Sequence, residues 1–177
     1  MPLQVGQPAP DFSAQDLDGK TISPAAYRGH KWMIAFFRFA ACPYCNLRIH
    51  ELSAKAALLR DKLDVVAVFQ SPAETLRRHN VPGRIPFTIV ADPEMHLFDL
   101  YQGELSTAKF ISGHALHPVQ WVQGVAAGAF NGGAAAGELR LVPADFLVDE
   151  QGIIQRAHYG RDVTDHMRMR DITAFAG

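Results

Sequence analysis

Trp32-Met33-Ile34-Ala35-Phe36-Phe37-Arg38-Phe39-Ala40-Ala41-Cys42-Pro43-Tyr44-Cys45 is the stretch on which the reading of this chain turns. From Trp32 to Phe39 it is apolar except for Arg38, which predicts a strand covered on both faces. Pro43 suits the first position of a helix, which makes Cys42 the cap residue. Cys45, Ile49, Leu52, Ala56 and Leu59 then recur at intervals of three and four, one face of a helix running to about Arg60. Strand, cap and helix follow one another without a spacer.

Outward from this unit the pattern repeats. Leu63 to Phe69 is β-branched and apolar and predicts a second buried strand. Ser71-Pro72-Ala73-Glu74 combines a Ser cap, Pro at the first position and Glu three residues after the cap, a helix start. Phe87 to Ala91 is a third strand candidate and Pro93 to Tyr101 a helix. Phe146 to Asp149, a turn through Gln151-Gly152, and Ile153-Ile154 predict a hairpin, and Asp162 to Phe175 a closing helix. At the N-terminus, Pro10 to Ala14 and Lys20 to Ile22 flank the Asp18-Gly19 turn as a short strand pair, and Ser23-Pro24 has the form of a helix start. Alternating strands and helices with a late hairpin imply an α/β layered domain over residues 1–177. The Gly- and Ala-rich stretch from about 103 to 140 fits worst. It is too long for a structureless loop in a compact domain and is expected to be an inserted helical element, either a lid or a surface insertion.

Composition narrows the function by exclusion. The chain has 177 residues, 17 basic and 18 acidic groups, a net charge of −1 and 48% hydrophobic residues. A chain of this length can bury a sizeable core without disulfide or metal staples. The balanced charge gives no reason to expect nucleic acid or an anionic membrane as partner. The nearest candidate for a membrane span, Trp121 to Gly137, is interrupted by Gln123, Asn131 and five glycines. The opening Met1-Pro2-Leu3-Gln4-Val5 lacks a basic segment followed by an apolar run, so a cytoplasmic location is expected, where thiols are kept reduced.

Against that background the only two cysteines stand at one helix start. At the cap, the Cys42 sulfur faces unpaired backbone N–H groups and the positive end of the helix dipole, which favours thiolate and lowers its pKa from about 8.5. Cys45, one turn on and on the apolar stripe, is expected to be less exposed and within disulfide reach, so Cys42 attacks and Cys45 resolves. Two alternatives compete. Buried structural thiols do not account for a cysteine at a helix cap. A zinc site needs about four ligands, and the nearest further pair is His114 and His117 beside Pro118. Arg38, four residues before Cys42, either reaches water from the strand end or lowers the thiol pKa and holds a peroxide or carboxylate oxygen. Arg48 is expected on a solvated helix face. His158, Tyr159, Arg161 and His166 cluster near the last strand and helix as surface or core groups, with a general acid among them as the alternative.

Several blocks resemble the alkyl hydroperoxide reductase/thiol-specific antioxidant superfamily. They are Val5-Gly6-Gln7-Pro8-Ala9-Pro10-Asp11-Phe12, Asp18-Gly19-Lys20, Tyr27-Arg28-Gly29-His30-Lys31, Phe87 to Pro93, and Phe146 to Ile154. The likeness covers about residues 5–102 and 141–160, with the insert outside it. Phe37-Arg38-Phe39-Ala40-Ala41-Cys42-Pro43-Tyr44-Cys45 looks most like the peroxiredoxin-like branch of that superfamily. The resemblance implies a thioredoxin fold: a mixed central sheet flanked by helices, with an N-terminal hairpin extension. It also implies a cis-proline opposite the cysteines, for which Pro143 has better context than Pro86. Two positions depart from the pattern. Cys42 stands where typical peroxiredoxins carry Thr or Ser in Pro-x-x-x-Thr/Ser-x-x-Cys, and apolar Phe36 stands where thioredoxins keep a buried acid. The Cys-Pro-Tyr-Cys tetrapeptide is the one glutaredoxins use.

The expected function is a thiol-dependent oxidoreductase carried by Cys42, Cys45, Arg38 and Pro143, exchanging dithiol for disulfide or reducing hydroperoxides. A non-catalytic redox-sensing or partner-binding module is the alternative. The expected partners are a peroxide or disulfide substrate and a thiol reductant of thioredoxin, glutaredoxin or glutathione type. No metal, organic cofactor, nucleic acid or membrane is expected, and a homodimer is left open.

Overall fold

The computed structural model describes residues 1–79, 85–126 and 137–177. Two short strands, β1 (Ala14–Gln15) and β2 (Thr21–Ile22), pair antiparallel and precede a 3-10 turn at Pro24–Tyr27. Then come β3 (Trp32–Phe37), α1 (Pro43–Ala54), α2 (Ala56–Leu59), β4 (Asp64–Phe69), α3 (Ala73–His79), β5 (Thr88–Ala91) and α4 (His96–Leu100). The second half holds β6 (Glu104–Leu105), α5 (Thr107–Leu116), α6 (Pro118–Gly124), β7 (Leu141–Val142), β8 (Ala144–Val148), β9 (Ile154–Tyr159) and α7 (Met169–Ala176).

The main sheet has the order β5-β4-β3-β8-β9. β3, β4 and β5 are parallel, and β8 and β9 run antiparallel to β3 and to each other. β3 is the middle strand, and all six of its residues are buried, as the apolar run predicts. Its side chains alternate. Met33, Ala35 and Phe37 join Val65, Ala67, Phe69, Leu147 and both cysteines in one core layer, where Phe37 stacks on Phe69 at 4.8 Å. Trp32, Ile34 and Phe36 join Val66, Val68, Phe146 and Tyr101 in the other. Each large apolar side chain so buried contributes about 1.5–3 kcal/mol, and the two layers fix the register of β3 from both sides.

Three predicted boundaries move for local reasons. The helix after Cys42 divides at Lys55, whose backbone leaves helical geometry between α1 and α2. α4 begins at His96, not Pro93, because Met95 takes a left-handed conformation (φ 60°) and Asp92 Oδ2 accepts from the backbone N–H groups of Leu97 and Phe98. The closing helix begins only at Met169. Asp162 Oδ1 accepts from Thr164 N and Asp145 Oδ2 from Met167 N, so side chains claim N–H groups that a helix over 162–168 would use. The expected insert carries β6, which pairs with β7, and helices α5 and α6. Its residues 127–136 lie outside the described residues. No helix among the described residues is long and apolar enough to cross a membrane.

Candidate active site

The cysteine loop leaves the C-terminal end of β3 and is tied down on both sides. Ala40 N donates to Ser71 Oγ (3.0 Å), Gln70 N to Arg38 O (2.8 Å), and Asn46 Nδ2 to the carbonyls of Ala40 (2.7 Å) and Cys42 (2.9 Å). Cys42 is the cap of α1, and its sulfur accepts from Cys45 N at 3.3 Å. An anion at this position is worth about 0.3–1 kcal/mol from the helix dipole, and more when partly buried. Both thiols are free in this structure. The expectation that Cys45 is less exposed than Cys42 does not hold. Cys42 is 0% and Cys45 1% exposed, both within the core layer under the sheet.

The insert packs on the loop that carries them through close backbone contact. A Cβ on Gly124 of α6 would lie 2.3 Å from the Pro43 carbonyl, so α6 sits directly on the first turn of α1. A Cβ on Gly137 would come within 3.0 Å of the Phe39 Cβ and 2.9 Å of Gln70 Oε1. Glu138 N donates to Gln70 Oε1, and Leu139 O accepts from Arg38 Nη1 at 3.3 Å. Both flanks of residues 127–136 thus rest on the cysteine loop.

Arg38 does not reach water. It is 2% exposed, lies over the Phe39 and Tyr44 rings at 5.8 and 5.6 Å, and its Nε has no hydrogen-bond partner among the described residues. Its charge is held by the sulfurs: burial pulls its pKa down, but Cys42 and Cys45 raise it by more. The two thiols respond in opposite directions. Burial pushes Cys42 up, yet the Cys45 thiol, the Arg38 guanidinium and the Cys45 backbone N–H outweigh it and bring Cys42 down to about 7. For Cys45, burial and the adjacent Cys42 sulfur act together and push it well up, against the pull of Arg38. Of the two sulfurs, Cys42 is thus the one whose ionisation is favoured and Cys45 the one whose ionisation is opposed.

Pro143 lies one residue beyond the Phe36–Ala144 pair, at the sheet edge from which the cysteine loop departs. The expected cis bond is absent: no peptide bond among the described residues is cis, at Pro143 or at Pro86. Pro143 joins β7 directly to β8 and its carbonyl accepts from Gly160 N, so the chain runs on extended and the trans bond, favoured by about 0.5–1 kcal/mol, suffices.

Arg48 is buried, against expectation, donating from Nη2 to Met167 O. Its neighbour there is a group that the sequence reading missed. Asp145 in β8 is fully buried, pairs across the sheet with Ala35, and accepts from His166 Nδ1 (3.1 Å) and Met167 N (2.6 Å). Burial pushes its carboxyl up, but His166, Arg48 and the Met167 N–H hold it below the ordinary carboxylate value. Its signal in the sequence is one acidic residue inside the apolar run Ala144-Asp145-Phe146-Leu147-Val148, just before the predicted strand start at Phe146. Of the late cluster, His158 and Arg161 meet Asp165, and Tyr159 bonds Leu3 N and Tyr101 O, away from the sulfurs. His114 and His117 diverge, the first to the Tyr44 ring and the second to Asp162.

A thiolate-forming cysteine at a helix cap, a thiol one turn on and a buried guanidinium, set at the edge of a mixed five-stranded sheet, define a dithiol oxidoreductase of the thioredoxin fold. The profile of the AhpC/TSA family matches residues 5–157, and the chain belongs to that family of thiol-dependent antioxidant proteins. A Mycobacterium tuberculosis protein named as a candidate peroxiredoxin is 27% identical over 166 residues, covering 93% of this chain and 90% of its own. The reduced 2-Cys peroxiredoxin of Plasmodium vivax superposes with a TM-score of 0.67 at 15% identity, covering 99% of this chain and 81% of that one. Peroxiredoxin Q of Xanthomonas campestris superposes at 0.66 with 14% identity, over 93% and 89%.

Proposed function

We propose that this protein is a hydroperoxide reductase in which Cys42 is the attacking thiolate and Cys45 the resolving thiol. The observation that carries this reading is the full burial of a sulfur whose pKa is brought down to about 7. A small hydroperoxide can diffuse to such a sulfur, whereas a protein disulfide needs a sulfur at the surface for in-line attack. Cys42 thiolate attacks one peroxide oxygen, the S–O bond forms as the O–O bond breaks, and the alkoxide leaves and takes a proton from water. Cys42 is now a sulfenic acid, and Cys45 condenses with it to a Cys42–Cys45 disulfide, releasing water. A cellular dithiol, or two monothiols of glutathione type, returns both cysteines to thiols. Arg38 balances the thiolate charge. Pro143 backs the loop from the sheet edge as a positioning residue. The proposed setting is the cytoplasm, with residues 1–177 acting as one domain, whether alone or as a homodimer.

The test is to reduce the protein, add hydrogen peroxide, and follow loss of thiols beside an insulin-type disulfide reduction assay. Rapid oxidation that disappears in Cys42→Ser, with sulfenic acid trapped in Cys45→Ser, is the expected result. Insulin reduction without peroxide reactivity makes the protein a disulfide reductase instead. If neither reaction needs Cys42, the pair is a structural or sensing element.

A further inference from the structure

Two buried polar atoms beside the cysteines have no partner among the described residues: Arg38 Nε and the Tyr44 hydroxyl. Such a group costs about 1–3 kcal/mol when left unsatisfied. One orphan is a local matter. Two on side chains that meet each other, Arg38 over the ring of Tyr44 within the Cys42–Cys45 turn, call for a ligand with hydrogen-bond-accepting atoms.

The Tyr44 ring is fixed in place. The Arg38 guanidinium lies over it at 5.6 Å, and the His114 ring meets it edge-to-face at 5.3 Å. Tyr44 is itself buried, at 4% exposure, and is the residue of the Cys-Pro-Tyr-Cys turn that borders a cavity. It lines a cleft of about 410 Å³, together with Arg48, His117, Arg161, Asp162 and His166, and neither cysteine reaches that cleft. Tyr44 thus stands between that cleft and the cysteine turn to which it belongs. Burial raises the Tyr44 pKa, against the pull of Arg38, so the hydroxyl stays protonated and can donate.

We infer that Tyr44 is a catalytic residue: its hydroxyl, with Arg38 Nε, holds the hydroperoxide against the Cys42 sulfur and donates to the oxygen that leaves. This rests on the hydroperoxide reductase reading and adds to it the group that receives the leaving oxygen. As Cys42 sulfur bonds to one peroxide oxygen, the O–O bond breaks and its electron pair goes to the other oxygen. The Tyr44 O–H stabilises that oxygen as an alkoxide until water protonates it. The peroxide is reduced to alcohol and the thiolate is oxidised to sulfenic acid.

The experiment compares Tyr44→Phe with the unaltered protein in two reactions of Cys42, oxidation by hydrogen peroxide and alkylation by iodoacetamide, across pH 5 to 9. Phe keeps the ring and its packing and removes only the donor. A charge-assisted hydrogen bond lost in the transition state slows oxidation by about 10- to 100-fold. The alkylation rate and its pH midpoint should not change, because alkylation does not use the donor. Equal oxidation rates overturn the inference. So does a parallel fall in both reactions, which would mean that Tyr44 acts on the thiol or its access. If the unaltered protein itself fails to react with peroxide while iodoacetamide still reaches Cys42, the underlying hydroperoxide reading has failed, and the inference falls with it. That outcome is told apart by needing no variant.

Discussion

Replacing Arg38 by Met takes a buried positive charge from beside Cys42 and leaves a side chain of comparable length to fill its place. In the native site, burial disfavours the Cys42 thiolate, and the Cys45 thiol, Arg38 and the Cys45 backbone N–H reverse that, bringing the thiol down to about 7. At pH 7 a group with that pKa is about half ionised, whereas an ordinary thiol at about 8.5 is about one thirtieth ionised. The Cys45 contributions survive in Arg38→Met, so the midpoint should rise by about 1–2 pH units, and thiolate at pH 7 should fall about 5- to 50-fold. Iodoacetamide alkylation measured from pH 5 to 10 reads this directly, because its rate follows the thiolate fraction. The native protein should show a midpoint near 7. The variant should react more slowly at neutral pH and converge on the native rate above its own midpoint. A midpoint that stays near 7 in a folded Arg38→Met protein would refute the electrostatic role. A uniform fall at every pH would refute it too, since it would mean lost access.

Three further outcomes follow from the packing. Asp145→Asn removes a carboxylate that His166 Nδ1 and the Met167 N–H hold, and breaking such a buried pair should cost about 3–5 kcal/mol in denaturant unfolding at pH 7. Because the folded pKa of Asp145 is depressed, this stabilisation is complete above the unfolded value near 3.8 and is lost as pH falls through the lower folded value. The gap between native and variant should therefore narrow below pH 4, and a pH-independent gap would count against the charge. Gly124→Ala places a methyl group 2.3 Å from the Pro43 carbonyl, so α6 must lift from α1, and Cys42 alkylation should accelerate severalfold; an unchanged rate would show that α6 does not restrict access. Phe146→Ala empties a site that Phe36, Tyr101 and Tyr159 all meet edge-to-face, and should cost about 3–5 kcal/mol, read as a lower unfolding midpoint.

What the sequence made legible is what depends on neighbours along the chain. The run Trp32 to Phe37 is buried on both faces because no polar residue gives it an outward side. Cys42 is the cap of α1 because Pro43 cannot donate an N–H and suits the first helical position. What depends on distant parts of the chain was not legible. The sequence leaves Arg38 between reaching water and lowering the thiol pKa, and what decides for the second is the backbone of Leu139, about a hundred residues later, which accepts from its guanidinium. Arg48 was assigned to solvent, and the Met167 carbonyl buries it. Asp145 escaped notice because only the sheet register, setting it beside Ala35 and under His166, makes its charge tolerable there. The stretch 162–168 has helical composition, but its acids draw the backbone N–H groups into turns.

The opposite responses of the two thiols give the proposed reaction its direction. A dithiol in which both sulfurs ionised at neutral pH would place two anions beside one guanidinium, and the second would repel the first. Here the Cys42 thiolate takes the charge compensation of Arg38, and Cys45 retains its proton because burial, together with the thiolate beside it, disfavours a second anion. The retained proton does two things in sequence. Before oxidation, the Cys45 S–H donates to the Cys42 sulfur and favours its ionised form. After oxidation the Cys42 negative charge is gone, and with it one cause that holds Cys45 up, while Arg38 remains to favour a Cys45 thiolate. The sulfenic hydroxyl then leaves as water with the proton that Cys45 had kept. A single buried cation thus serves each sulfur in turn, which is why its burial beneath Leu139 and over Tyr44, rather than its exposure at a strand end, fits the chemistry.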